Sequence, residues 1–168
     1  LRIMSEYYDK KNQKTYLSNI RTEIATLQDI ITYCKTNNIQ GINQNLDFVK
    51  KQPYKVNNEK VPSADFDDFN FRVSLKQETL MEKDNYTIQT IIDNWGNNKK
   101  IFRYMNRGSF KHPDYPFIID LSIVKESARN KNSYFIPHYT IQDANVFNGF
   151  EHYEIEIECI NSLVGPGT

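Results

Sequence analysis

A chain of 168 residues is long enough for one domain with a substantial core. Its 21 Lys and Arg balance 21 Asp and Glu, which excludes a global basic field, so any anionic ligand has to be met by local clusters. Two cysteines, Cys34 and Cys159, exclude a disulfide scaffold and fit a reducing compartment; no apolar run approaches about 18 residues and no signal-peptide pattern is present, so a protein that is neither secreted nor membrane-bound is expected.

Residues 1–8 are expected to form a strand, followed by a polar turn at Asp9–Lys14. Leu17 to Ala25 alternates, with Ser18, Ile20, Thr22 and Ile24 on one side and Asn19, Arg21 and Glu23 on the other. The period then changes. Leu27, Ile30, Ile31 and Cys34 fall at i, i+3, i+4 and i+7, which predicts an amphipathic helix ended by Asn37, Asn38 and Gly41. On that stripe Cys34 is a small core residue rather than a reactive thiol. Leu46–Lys50 reads as a short strand. Residues 52–68, with Pro53, Pro62, Asn57 and Asn58, read as a loop; its acidic cluster Asp65, Asp67 and Asp68 matches no calcium-loop spacing.

Asn70–Glu78 is predicted as a strand with Phe69, Phe71, Val73 and Leu75 on its apolar side and Arg72, Ser74, Lys76 and Glu78 on its polar side. A second helix follows Asp84 as N-cap, carries Ile88, Ile91, Ile92 and Trp95 on one stripe, and stops at Gly96. Lys99–Phe110 alternates again: Ile101, Arg103, Met105, Arg107 and Ser109 share a face, opposite Phe102, Tyr104 and Phe110. In Phe117–Lys125, Asp120 and Ser122 lie opposite Ile119, Leu121 and Ile123. Residues 126–133 are a polar loop, and Tyr134–Ile141 is a weaker strand interrupted by Pro137. His112, His138 and His152 show no metal-ligand spacing and are expected to be surface or hydrogen-bonded residues.

Glu151–Cys159 is the most informative stretch. Alternation places Tyr153, Ile155, Ile157 and Cys159 on one face and Glu154, Glu156 and Glu158 on the other. Three like charges in a row repel unless they are solvated at a sheet edge or face cations, either a divalent metal or Lys and Arg of neighbouring strands. One strand is thus acidic on its polar side while others contribute Arg21, Arg72, Lys76, Arg103 and Arg107. Signs segregated by strand suit a lined cavity that holds an anion and a metal together, since the guanidinium fork binds phosphate oxygens bidentately. The fold expected is α+β and mainly β: an antiparallel closed or nearly closed barrel with two amphipathic helices packed outside, in a single domain over residues 1–168.

The Glu154-x-Glu156-x-Glu158 strand and the basic strands resemble the triphosphate tunnel metalloenzymes. The nearer resemblance is to the RNA 5′-triphosphatase domain of mRNA-capping enzymes of large DNA viruses, of poxvirus and giant-virus type. It is carried by Leu17–Ile24, Ile31–Asn37, Phe71–Glu78, Lys100–Arg107, Asp120–Lys125 and the glutamate strand, in that order. The resemblance implies an eight-stranded tunnel and Mg²⁺- or Mn²⁺-dependent hydrolysis of the γ-phosphate of 5′-triphosphate RNA, and often of nucleoside triphosphates. By the same resemblance Glu154, Glu156 and Glu158 are metal ligands and catalytic groups, and Arg103 and Arg107 clamp phosphate. Arg72, Lys76, Arg21 and Lys125 are further phosphate ligands, with Asp120, Glu78 and Glu23 as nearby acidic residues.

Two features depart from the family pattern. No Glu-x-Glu pair precedes the glutamate strand, where Glu6 stands alone, so the first tunnel strand is expected to be missing; and Met105 occupies the place of a central lysine between the two arginines. The chain opens at Leu1 without an initiator Met and closes at Gly165-Pro166-Gly167-Thr168, as expected of a piece of a longer capping enzyme. Guanylyltransferase and methyltransferase domains of the same polypeptide or complex are the implied partners, and a virion or host-cytoplasmic viral factory the implied location. No Lys-x-Asp-Gly stretch of the guanylyltransferase kind is present. A tunnel enzyme acting on polyphosphate or tripolyphosphate, or a non-catalytic phosphate-binding or subunit-contact domain, are the alternatives.

Overall fold

The computed structural model describes residues 1–9, 11–42 and 45–164; the Gly-Pro-Gly-Thr end lies outside them. In chain order the strands are β1 (Arg2–Asp9), β2 (Lys14–Ile24), β3 (Leu46–Pro53), β4 (Lys55–Val56), β5 (Glu59–Lys60), β6 (Ala64–Phe66), β7 (Phe71–Val73), β8 (Lys76–Met81), β9 (Lys100–Lys111), β10 (Phe117–Glu126) and β11 (His152–Cys159). Helix α1 (Leu27–Thr36) follows β2 and α2 (Tyr86–Asp93) follows β8. Seven strands form one antiparallel sheet in the order β11-β10-β9-β1-β2-β3-β8, curled into a half-barrel.

The expected closed barrel is therefore corrected to an open sheet with β8 and β11 as its edges. Part of the reason lies in the predicted Asn70–Glu78 strand, which is broken in two. Its first half, β7, leaves the sheet and pairs with β6 in a separate ribbon closed by Phe66 stacked on Phe71, 4.7 Å between ring centroids. Only the second half continues as β8 against β3. The loop expected over residues 52–68 likewise contains short pairings, β4 with β5 and the first strand of the β6–β7 ribbon. Tyr134–Ile141 is not a strand: it makes only the isolated bridges Arg129–Phe135 and Lys100–His138, because Pro137 has no N–H to extend a ladder.

Both helices form where the apolar stripes predict. Thr26 caps α1 by accepting from the Asp29 N–H at 3.2 Å, and Asn37 ends it in the left-handed region with φ 51°, its N–H donating to Tyr33 O. Helix α2 starts one residue later than expected, on Asn85, whose side chain accepts from the Thr87 N–H; it ends at Asn94, ahead of Gly96. Ile30 and Tyr33 of α1 and Ile88 of α2 are buried with Ile3, Ile24, Phe48 and Phe102 of the sheet, so the helices cover the outer face of β1–β3 and the start of β9. Cys34 packs on the edge of this core, and burial pushes its thiol pKa up. Trp95 is buried, and Lys100 beneath it is 1% exposed, its Nζ donating to the carbonyls of Trp95 and Asn98, both at 2.6 Å.

Tyr33 is fully buried, and its hydroxyl has no hydrogen-bond partner among the described residues. The Trp95 ring meets it edge-on, but the indole N–H donates to Asn37 O at 3.0 Å. A buried, unsatisfied hydroxyl costs stability that an apolar isostere does not. Tyr33→Phe is accordingly expected to raise the unfolding free energy by about 1 kcal/mol, read as a higher urea midpoint at unchanged slope.

Beyond the helices, Phe147 packs edge-on against Tyr104 of β9 on the outer face, and much of β10 and β11 is left uncovered. On β10 and β11, Leu121, Ile123, Tyr153, Ile155 and Ile157 are all exposed, whereas Asp120 and Ser122 on the opposite face of β10 are buried. The polar side of these strands is thus the inside of the curl. No helix among the described residues is long and apolar enough to cross a membrane.

Candidate functional site

Directly paired residues in an antiparallel sheet point to the same side, so the register lays out the inner face. Asp120 on β10 is opposite Ser109 on β9 and Glu156 on β11; Ser122 is opposite Arg107 and Glu154. Glu126 is opposite Arg103, Arg103 opposite Arg2 on β1, and Arg2 opposite Glu23 on β2. Strand alternation adds Arg21 beside Glu23, and Lys51 on β3 is opposite Glu78 on β8.

These side chains form two ion-paired groups. On β1, β2, β3 and β8, Arg2 and Arg21 share Glu23, and Arg21 and Lys51 share Glu78. Partial burial works to raise the Glu78 pKa, but hydrogen bonding from Lys51 and the charges of Arg21 and Lys51 outweigh it and hold the carboxyl below its usual value. Burial lowers the Arg2 pKa, with the Glu23 charge opposing. On β9–β11, Arg103 bridges Glu126 and Glu154, and Arg107 bridges Asp120 (2.6 Å) and Glu156. Arg107 Nε also donates to Ser122 Oγ at 2.9 Å, and Ser109 Oγ donates to the second oxygen of Asp120 at 2.6 Å. Met105, between the two arginines, faces the buried Val124 and separates their ion pairs with an apolar contact layer.

Asp120, Glu156 and Glu158 each place a carboxylate oxygen within 4.8 Å of the others. Among the described residues Glu158 makes no ion pair. Around this triad, Asp120, Glu126, Glu154, Glu156 and Glu158 share the inner face with Arg103 and Arg107; Lys111 lies in the cross-strand row of Glu158, and Arg2 in that of Arg103 and Glu126. Three oxygen donors and no nitrogen or sulfur fit a hard divalent cation such as Mg²⁺ or Mn²⁺.

Of the residues singled out from the sequence, Glu154, Glu156, Glu158, Asp120, Arg103 and Arg107 converge on β9–β11. Arg21, Glu23 and Glu78 lie on the same inner face further along the sheet. Within the acidic set, Glu154 stands on Arg103, and Asp120 takes its place beside Glu156 and Glu158. Lys76 begins β8 at the opposite sheet edge, exposed and across from Pro53.

Two expected phosphate ligands are elsewhere. Arg72 lies on the β6–β7 ribbon and is held by Asp65, at 2.5 and 3.0 Å, so it is off the sheet altogether. Lys125 points to the outer face, its Nζ donating to Phe147 O at 2.9 Å, because an odd position in β10 shares the side of Ile123 rather than that of Asp120. Arg2 and Glu126 were not singled out. Glu126 continues the period-two series of Asp120 and Ser122, and that series is the signal that finds it.

The fold and site define a curled antiparallel half-barrel that lines its concave side with paired carboxylates and guanidinium groups. No family model, curated protein or solved structure matches the chain.

Proposed function

We propose that the inner face of the half-barrel is a metal-dependent phosphohydrolase site acting on the 5′-triphosphate end of RNA, as in the capping triphosphatases that the sequence resembles. The observation that supports this most is the adjacency of the Asp120–Glu156–Glu158 carboxylates to Arg107 and Arg103 on one concave surface. Nucleoside triphosphates belong to the same substrate class, and guanylyltransferase and methyltransferase domains are the partners such a reaction serves. Asp120, Glu156 and Glu158 would hold a divalent ion, which would supply charge neutralisation and Lewis acidity at the γ-phosphate.

Everything else falls to the chain. Arg103 and Arg107 hold the phosphoryl oxygens and stabilise the charge that builds on them during transfer. A carboxylate of the acidic strand takes the proton from the attacking water. The water oxygen bonds to the γ-phosphorus as the bond to the β–γ bridging oxygen breaks, leaving inorganic phosphate and a diphosphate end. The expected result is Mn²⁺-dependent phosphate release from triphosphate-ended RNA that falls by about 10²–10³-fold in Glu156→Gln, the scale typical of losing one preorganised polar group in such a site.

Inorganic tripolyphosphate run in parallel separates this reading from a polyphosphate-directed tunnel enzyme. The exposed apolar outer face of β10 and β11 favours a second reading, a non-catalytic subunit-contact domain. No phosphate release from either substrate, with or without Mn²⁺, would leave that second reading alone.

A further inference from the structure

The three nitrogens of the Arg107 guanidinium are all engaged: Nε on Ser122, one terminal nitrogen on Asp120 and the other on Glu156. Two of those partners, Asp120 and Glu156, are also two of the three carboxylates of the triad. The guanidinium and any cation held by the triad would therefore compete for the same two carboxylates. Arg103 differs. Its partners are Glu126 and Glu154, which lie outside the triad, and Glu126 is also held by Arg129.

We propose that Arg107 is a metal-gated phosphate ligand: in the metal-free protein it stands in for the cation and is closed to phosphate, and it turns to phosphate when Asp120 and Glu156 are taken by the metal. This rests on the reading of the inner face as a metal and phosphate site. A bidentate grip on phosphate needs two N–H groups directed at one ligand, and here those groups already point at carboxylates. Once the carboxylates bind a divalent ion, the guanidinium loses its counter-charges while remaining beside the site on β9. The fork is then free for an anion. Arg103 keeps its carboxylates throughout, which makes it the constant, weaker contact of the two.

The test is Mg²⁺ binding to the full 168-residue chain by calorimetry, without any phosphate present, in the parent and in Arg107→Met, Arg107→Lys and Glu156→Gln. Removing the competing guanidinium is expected to tighten Mg²⁺ binding by about tenfold in Arg107→Met, the scale of one charge-assisted pair no longer competing. Arg107→Lys, whose single ammonium cannot fork between two carboxylates, falls between the two and carries the test if the methionine variant does not fold without metal. In the parent, the arginine Nε–H resonance that Arg107→Lys removes is expected to shift on adding Mg²⁺. If the parent binds Mg²⁺ in a Glu156-dependent way but neither Arg107 variant binds it tighter, the gating is overturned and the metal site stands. Heat of binding that is absent from the parent, or unchanged by Glu156→Gln, overturns both.

Discussion

Arg107→Met is expected to lower the unfolding free energy of the metal-free chain by about 3 kcal/mol, the low end of the ~3–5 kcal/mol that follows when one member of a buried ion pair is removed. The cost falls on Asp120, whose side chain is only 6% exposed and which would keep Ser109 as its sole hydrogen-bonding partner. The low end applies because a fifth of the Arg107 side chain reaches solvent. Arg103→Met makes the contrast. Its partner Glu154 is a third exposed, and its other partner Glu126 retains Arg129, so about 1 kcal/mol is expected there. Urea denaturation of the two variants at neutral pH reads the difference. A double variant, Arg107→Met with Asp120→Asn, removes the stranded charge and is expected to recover much of the loss. Equal losses in Arg103→Met and Arg107→Met, or no recovery in the double variant, would show that burial of Asp120 does not govern the stability of this face.

The sequence makes that face legible because charge and period coincide. In β11 every second residue from Glu154 is polar and the intervening ones are apolar; β9 and β10 follow the same period with exceptions such as Met105 and Val124, and a strand has no other way to arrange such a pattern than on two faces. Hence Arg103, Arg107, Asp120 and the three glutamates are found together, as are the two helices, whose stripes leave little choice of period. The charged side takes the concave position, as a lined cavity requires; what alternation does not carry is how far the helices reach. They cover β1–β3 and the start of β9, and Leu121, Ile123, Ile155 and Ile157, apolar positions expected beneath them, are exposed. Curl is a property of the whole sheet, set by twist and by what covers each side, and no single strand encodes it. The break at Ser74-Leu75 was equally hidden. Both halves of Asn70–Glu78 alternate in phase, but Phe71 finds Phe66 nearer in sequence than β3, the sheet strand that the second half pairs with, so a local ribbon wins over the longer-range pairing. Arg72 goes with it. Glu158 and Asp120 meet because β10 and β11 are neighbours in register, a fact of pairing that spacing along one chain segment does not contain.

The start of β9 offers a test of the fold that is independent of the inner face. Lys100 sits under Trp95 with its ammonium 5.3 Å from the ring centre, and burial depresses its pKa from 10.5 to about 8. Below pH 8 the lysine is protonated both folded and unfolded, and the full cost of burying the charge is present. Between pH 8 and 10.5 the unfolded chain still holds the proton and the folded one has released it, so stability rises with pH, reaching its full gain above 10.5. The gain approaches ~3 kcal/mol, or about 1.4 kcal/mol per pH unit within the window. Other groups act against it there: Cys34 and Tyr33 have pKa values raised by burial, so the folded chain retains protons that the unfolded one loses, and stability falls through them. Lys100→Met keeps those opposing groups and lacks the amine. Urea midpoints of the two proteins are therefore expected to run parallel up to pH 8 and to diverge from there to pH 10, with the lysine protein gaining on the methionine variant. Parallel curves across the whole range would mean that the two carbonyls and the Trp95 ring stabilise the ammonium enough to cancel the desolvation that defines this position.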